Sequence, residues 1–302
     1  MKKKIRHFLD LNKINYKEIR KILDLSKSYK QGISSGYGTL KRKTLCLIFE
    51  KPSTRTRVSF EIAMHQLGGN VSILEEDKTQ LGRGEAISDT AKVLSRYIDA
   101  IVYRTSSANK LYELANFSTI PVINGLNDET HPCQLLADIM TFEENLGTIQ
   151  GRTITWSGDF NNVCRTWIHA AEILNFNFHL ACPKNLIDRK IMLEIKKKKN
   201  IKFFESPIIA CKNTDCIMTD TWFSMGQKVS DKKRNMLQPF QVNKKLLSYA
   251  KKNAIFMHCL PAHRGEEISE DILEHPQSVV WDEVENRLHT QKAILTWCLK
   301  QI

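Results

Sequence analysis

Short β-like runs alternate with stretches of helical period along almost the whole chain. Strand candidates lie at 44–49, 71–74, 99–103, 120–123, 153–157, 178–182, 201–204, 215–219, 254–258 and 278–281. The clearest helical patterns fall at 58–67, 85–97, 132–146, 163–175 and 284–300. A helix between two strands of one sheet implies a right-handed crossover, so the alternation predicts βαβ units and parallel sheets. Ten strands are many for one open sheet, and 302 residues can bury two cores. The expected fold class is therefore α/β, with two doubly wound parallel-sheet domains and the active site in the cleft between them. The first domain is expected at 1–133 and the second at 134–283, with a C-terminal helix at about 284–302 packing back on the first.

In open α/β sheets ligands gather at the carboxyl ends of the strands, and the polar motifs of this chain fall there. Phe-Glu-Lys-Pro-Ser-Thr-Arg-Thr-Arg (49–57) follows the first strand and leads into a helix expected from Val58. It brings two hydroxyl–arginine pairs to a helix N-terminus, where the helix dipole and unpaired N–H groups already favour an anion. A helix cap accounts for one hydroxyl but not for both pairs, and the planar forks of Arg55 and Arg57 suit phosphate or carboxylate. No nucleotide P-loop pattern is present. Arg104 ends another strand, and His131-Pro132-Cys133-Gln134 opens a helix with an imidazole and a carboxamide one turn apart. In the second half, residues 158–162, 220–226 and 258–263 occupy the corresponding strand ends.

Composition narrows the classes of partner. The formal net charge of +12 invites a nucleic-acid reading, but the lysines are scattered and the one dense run, Lys196–Lys199, ends a helix. A positive field also gathers small anionic substrates, so no nucleic-acid partner is expected. Eight dispersed cysteines without a C-x-x-C pair read as reduced thiols, and no His/Cys spacing suits zinc, so neither metal nor cofactor is expected. No apolar run approaches membrane-spanning length, and no apolar segment follows Lys2–Lys4, which predicts a cytoplasmic protein without a membrane partner.

Lys-Pro-Ser-Thr-Arg-Thr-Arg-x-Ser-Phe (51–60), Tyr-Arg-Thr (103–105) and His-Pro-x-Gln (131–134) together resemble the carbamoyl-phosphate half of the aspartate/ornithine carbamoyltransferase family. Gln80-Leu-Gly-Arg-Gly-Glu is similar to a loop of that family that contributes to the same site, from its own or a neighbouring subunit. Gly158-Asp-Phe-Asn-Asn-Val163, Asp220-Thr-Trp-Phe-Ser-Met-Gly-Gln227 and His258-Cys-Leu-Pro261 resemble its ornithine-side signatures, in the family order. Asp77 and Phe160 depart from the residues common in relatives, without removing a matched functional position.

The resemblance implies carbamoyl transfer from carbamoyl phosphate to the δ-amine of L-ornithine, giving L-citrulline and phosphate, in a homotrimer or multiple of trimers. Another amine acceptor, such as putrescine or aspartate, is the alternative. It places carbamoyl phosphate on Ser53, Thr54, Arg55, Thr56, Gln80, Arg104, His131, Gln134, Cys259, Leu260 and Arg287. It places ornithine on Asn162, Asp220, Ser224 and Met225, with Ser224–Gly226 in a loop that closes over the substrate. Arg55, Arg104, His131 and Cys259 carry the catalysis in this reading. Preorganised donors aimed at the carbamoyl oxygen are the largest expected contribution, about 3 kcal/mol each. Direct transfer needs no covalent intermediate, so Cys259 is read as orienting the amine with Asp220 rather than as a nucleophile.

Overall fold

The computed structural model describes residues 5–224 and 228–300, and the chain divides into two compact units, Met1–Met140 with Glu285–Ile302 and Thr141–Val284. The first holds α1 (Tyr16–Lys30), β1 (Thr44–Phe49), α2 (Thr54–Gln66), β2 (Asn70–Glu75), α3 (Ile87–Tyr97), β3 (Ala100–Arg104), α4 (Ala108–Phe117) and β4 (Val122–Leu126). Helix α5 (Pro132–Leu146) runs across the division, and the second unit continues with β5 (Thr153–Ser157), α6 (Asn162–Leu174), β6 (Asn177–Ala181), α7 (Arg189–Lys196), β7 (Ile201–Phe204) and α8 (Pro207–Cys211). It is completed by β8 (Cys216–Thr219), α9 (Asp231–Leu237), α10 (Lys244–Leu247) and β9 (Ile255–His258), before α11 (Val280–Lys300) returns to the first unit.

Every strand pairing is parallel, in the orders β2-β1-β3-β4 and β7-β6-β5-β8-β9. Inner strands of such sheets are covered on both faces, which is why β1 reads Leu-Cys-Leu-Ile-Phe without alternation and is buried from Leu45 onward. The edge strand β2 is only partly buried. Cys46, Ile48, Ile101, Tyr103, Leu111 and Val122 pack into one core cluster of the first unit. Ile217, Val242, Leu246, Phe256, Ile268 and Ile272 pack into one of the second.

The strand orders locate the functional edge. From β1 the chain winds to β2 on one side, then to β3 on the other, so the winding reverses between β1 and β3. In the second unit it reverses between β5 and β8. Such switch points open a crevice at the carboxyl ends of the strands. Residues 50–53 and Arg104 stand at the first, and residues 158–161 and Asp220 at the second. Gly158 has φ 143°, and a Cβ there would lie 3.0 Å from Thr219 Oγ1, so the close approach of the β5 and β8 ends requires glycine.

Three sequence expectations change. Residues 278–281 form no strand: Ser278 makes an isolated bridge to Phe256, and α11 begins at Val280. Two adjacent valines and a tryptophan read as β, but the run is the entry to the last helix. Helix α2 starts at Thr54 rather than Val58, so the hydroxyl and arginine residues are its first turn rather than a preceding loop. The compact units divide between Met140 and Thr141, inside α5, seven residues beyond the expected 133/134 boundary.

Candidate active site

In the first unit the site is built on the start of α2. Ser53 is its N-cap residue, with extended backbone (φ −152°, ψ 104°), yet its side chain makes no capping hydrogen bond. The first-turn N–H groups of a helix have no intrahelical partner, and an uncapped start is suited to an anion. Ser53 and Arg55 are half-buried and Thr54 is exposed, so this end of the helix is open to solvent. Thr56, one residue on, is buried.

Thr56 lies where two arginines meet. Its Oγ1 accepts from Arg287 Nη2 at 3.0 Å and from Arg104 Nη1 at 3.3 Å. Arg287 Nη1 donates to Gln134 Oε1 at 2.7 Å, and Gln134 Nε2 donates to Asp138 Oδ1 at 2.8 Å, one turn along α5. The amide of Gln134 is thereby oriented. His131 is buried beside the same guanidinium groups. Burial, followed by the positive charges of Arg287, Arg104 and Arg55, holds its imidazole well below the usual histidine range. His131 is therefore neutral at physiological pH, with a single N–H to donate.

Thr56, Arg104, Gln134 and Arg287, from four separate elements, thus share one hydrogen-bonded cluster, with Arg55 and His131 beside it. Two expected contributors stand apart. Arg57, read with Arg55 as a second anion fork, turns outward and pairs with Glu75 at 3.4 Å, because it lies on the exposed face of α2. Gln80 is exposed, and its carbonyl accepts from the N–H groups of Arg83 and Glu85 in the turn that follows.

In the second unit Asp220 follows β8 and Cys259 follows β9, one strand over. The Cys259 thiol donates to Asp220 Oδ1 at 3.1 Å, and Asn161 Nδ2 donates to Asp220 Oδ2 at 2.6 Å. Asn161 also caps α6, its Oδ1 accepting from Cys164 N at 3.0 Å. Asn161 is a residue the sequence reading passed over in favour of Asn162. Its signal was the N-cap position itself, since a capping asparagine has an amide left over to orient a neighbour. Asn162 Oδ1 accepts from the N–H of Val163 at 3.0 Å. Trp222, Phe223 and Leu237 pack together behind Asp220, and half-buried Ser224 ends the described stretch. Met225 lies outside the described residues, as do Gly226 and Gln227.

Leu260 has left-handed backbone, φ 53°, and its N–H donates to His258 Nδ1 at 2.9 Å. A branched residue in this region costs of order 1–3 kcal/mol, so the turn is held against its own preference. Asp220, His258 and Cys259 bring ligand-type atoms within 4.8 Å of one another, a three-donor set that spacing did not suggest. His258 cannot serve it as it stands. Its Nδ1 lone pair is used by Leu260, which leaves the proton on Nε2, facing Glu267 Oε1 at 3.2 Å. All eight cysteines are free and buried, and burial pushes the thiols of Cys46 and Cys133 up to about 12.

The carbamoyl-P binding domain model of aspartate/ornithine carbamoyltransferases matches residues 6–144, and the Asp/Orn binding domain model matches residues 150–298. The ornithine carbamoyltransferase of Rhodopseudomonas palustris (strain BisA53) is 52% identical over 302 residues, 97% of each chain. That of Bradyrhizobium diazoefficiens is 50% identical over 306 residues, 100% of each. Among solved structures, the ornithine carbamoyltransferase from Pyrococcus furiosus superposes with a TM-score of 0.92 at 44% identity, covering 98% of both chains. The anabolic enzyme from Campylobacter jejuni gives a TM-score of 0.90 at 37% identity, covering 99% of this chain and 100% of that one.

Proposed function

The chain belongs to the aspartate/ornithine carbamoyltransferase family, and on that premise we propose that it transfers the carbamoyl group of carbamoyl phosphate to the δ-amine of L-ornithine. The observation that carries this reading is the arginine-rich cluster around Thr56, joined to an uncapped helix start. The dianionic phosphate would lie against the first-turn N–H groups of α2, with Ser53, Thr54 and Arg55 around it. Its carbamoyl oxygen would take hydrogen bonds from Arg104, Thr56 and neutral His131, while Gln134 accepts from the carbamoyl –NH2.

The δ-amine is mostly protonated in water and must lose a proton to attack. Asp220, with Cys259 bonded to it, would hold the amino acid and take part in that deprotonation, with Asn162, Ser224 and Met225 around it. The amine lone pair then forms the C–N bond, charge builds on the carbonyl oxygen, and the C–O bond to phosphate breaks. Donors already in place at that oxygen stabilise the charge without reorganising at the moment of reaction. Inorganic phosphate leaves with its charge held by Arg55 and the helix end. Arg287 would act on the carbamoyl-phosphate side through Thr56 and Gln134. The acceptor is ornithine rather than aspartate, since an acidic residue at 220 repels a second carboxylate.

Assembly as a trimer and a cytoplasmic location complete the proposal. Among the described residues no helix is long and apolar enough to cross a membrane. A panel of amines assayed with carbamoyl phosphate, run beside a sizing measurement, tests the reading. Citrulline from ornithine is expected; turnover of aspartate or putrescine in its place would overturn it. Asp220→Asn should raise the ornithine KM at least tenfold and leave calorimetric binding of carbamoyl phosphate unchanged.

A further inference from the structure

Beside the arginine cluster lies a second, oppositely charged network that the proposed chemistry does not use. Glu50, the residue after β1, accepts at Oε1 from Lys110 Nζ at 2.6 Å and from Tyr103 Oη at 3.1 Å. Its Oε2 accepts from the Ser106 N–H at 2.5 Å and the Ser106 hydroxyl at 2.9 Å. Glu76, the residue after β2, accepts from the same Tyr103 Oη at 3.1 Å and the same Lys110 Nζ at 3.2 Å. The side chains of Glu50 and Glu76 are only 9% and 12% exposed, so both carboxylates are enclosed around one ammonium group.

The placement of these bonds is more specific than a core brace needs. The Glu50 N–H donates to the Arg104 carbonyl at 3.0 Å, while its carboxylate grips Tyr103 before Arg104 and Ser106 after it. Glu50 therefore holds the Arg104 carbonyl and the backbone N–H of Ser106 just after it, along with the Tyr103 phenol, and three residues later the chain becomes Ser53. Glu76 opens the turn leading to Gln80, and its carbonyl accepts from Thr79 N at 3.1 Å. Lys110, near the start of α4, joins the two carboxylates. Burial raises Glu50, but the bonds from Lys110 and Ser106 outweigh it and bring the carboxyl down to about 2, so it stays charged. Burial and the nearby charge of Glu50 raise Glu76, and burial raises the phenol of Tyr103, which remains a donor.

We propose that Glu50, Glu76 and Lys110 are positioning residues for the carbamoyl-phosphate side, fixing Arg104 in place and tying it to the Ser53 and Gln80 segments. The inference rests on the carbamoyl-transfer reading above. Displacement of a reacting-group donor by about 1 Å costs on the order of 10²-fold, so losing the brace should be visible in kinetics rather than only in stability.

The test is steady-state citrulline formation by Lys110→Met and Lys110→Arg, titrating each substrate separately, with thermal unfolding of both variants. Lys110→Met should raise the carbamoyl-phosphate KM about tenfold or more and change the ornithine KM less than twofold. Lys110→Arg, which can still bridge two carboxylates, should recover most of the loss. Should Lys110→Met fail to fold, Lys110→Gln is measured in its place with the same expectation. A folded variant whose melting temperature falls while both KM values stay put, or whose two KM values rise together, overturns the proposal. If the wild-type chain makes no citrulline, the reading beneath it fails instead. Calorimetric binding of carbamoyl phosphate to wild type and Lys110→Met then still decides the positioning role.

Discussion

Arg287 and Thr56 are 231 positions apart in the chain and bonded in the fold. Arg287 satisfies two acceptors at once, the Thr56 hydroxyl and the Gln134 carbonyl, which a single ammonium group cannot reproduce in the same geometry. Arg287→Lys should therefore behave much like Arg287→Ala. Each is expected to cost about 2–4 kcal/mol in urea unfolding and to raise the carbamoyl-phosphate KM by on the order of 10²-fold. His131 leads to a pH prediction. In the folded chain it stays neutral, whereas an unfolded-chain histidine takes up a proton near pH 6.5. The unfolded state then binds more protons, and stability falls as pH drops from about 6.5 towards the lower pKa of the buried imidazole. The slope from this one group is up to about 1.4 kcal/mol per pH unit. His131→Asn should flatten the stability profile by about 1 kcal/mol between pH 6.5 and 5.5, as measured by urea denaturation. Burial also lowers His7 and His179, which supply a similar background slope in both proteins.

At the scale of elements, α6 carries its own cap and part of the site in one residue. Asn161→Ala removes a capping bond worth about 1 kcal/mol and also releases Asp220 Oδ2. Thermal unfolding should show the first loss, and a rise in the ornithine KM without change on the carbamoyl-phosphate side should show the second. These elements were unevenly legible in the sequence. Strands such as Thr44–Phe49 and Cys216–Thr219 stood out because inner parallel strands are continuous apolar runs, and α5 was bounded by its proline and the glycine after it. The start of α2 was not legible. Thr54, Arg55 and Thr56 break the apolar period that marks the rest of the helix. Polar loops were recognised by composition and strand-end position. The orientation of their side chains was not, because it depends on partners far away in sequence: Arg57 turns to Glu75, and Glu50 finds Lys110. Glu50 lay within the first motif read, yet nothing local marks a carboxylate as an organiser of arginine.

For the whole molecule, charge and ligand act together. A net charge of +12 draws a dianion from a distance, and salt screens that attraction. The kcat/KM for carbamoyl phosphate should fall severalfold between about 0.02 and 0.3 M salt, more steeply than that for zwitterionic ornithine, in initial-rate assays at each ionic strength. The uncapped start of α2 has a different consequence, one for the lifetime of the protein. Where α4 and α6 carry a serine or asparagine oxygen over their first turn, α2 carries none, and in the proposed binding mode a substrate oxygen would complete it. Anything that binds only the folded chain raises its stability in proportion to the logarithm of its concentration. In that mode each turnover would release phosphate and expose the turn again. A cell rich in carbamoyl phosphate would keep the helix finished, and a starved one would leave it open to fraying and proteolysis. The abundance of the enzyme would then follow the supply of its donor without any dedicated regulator.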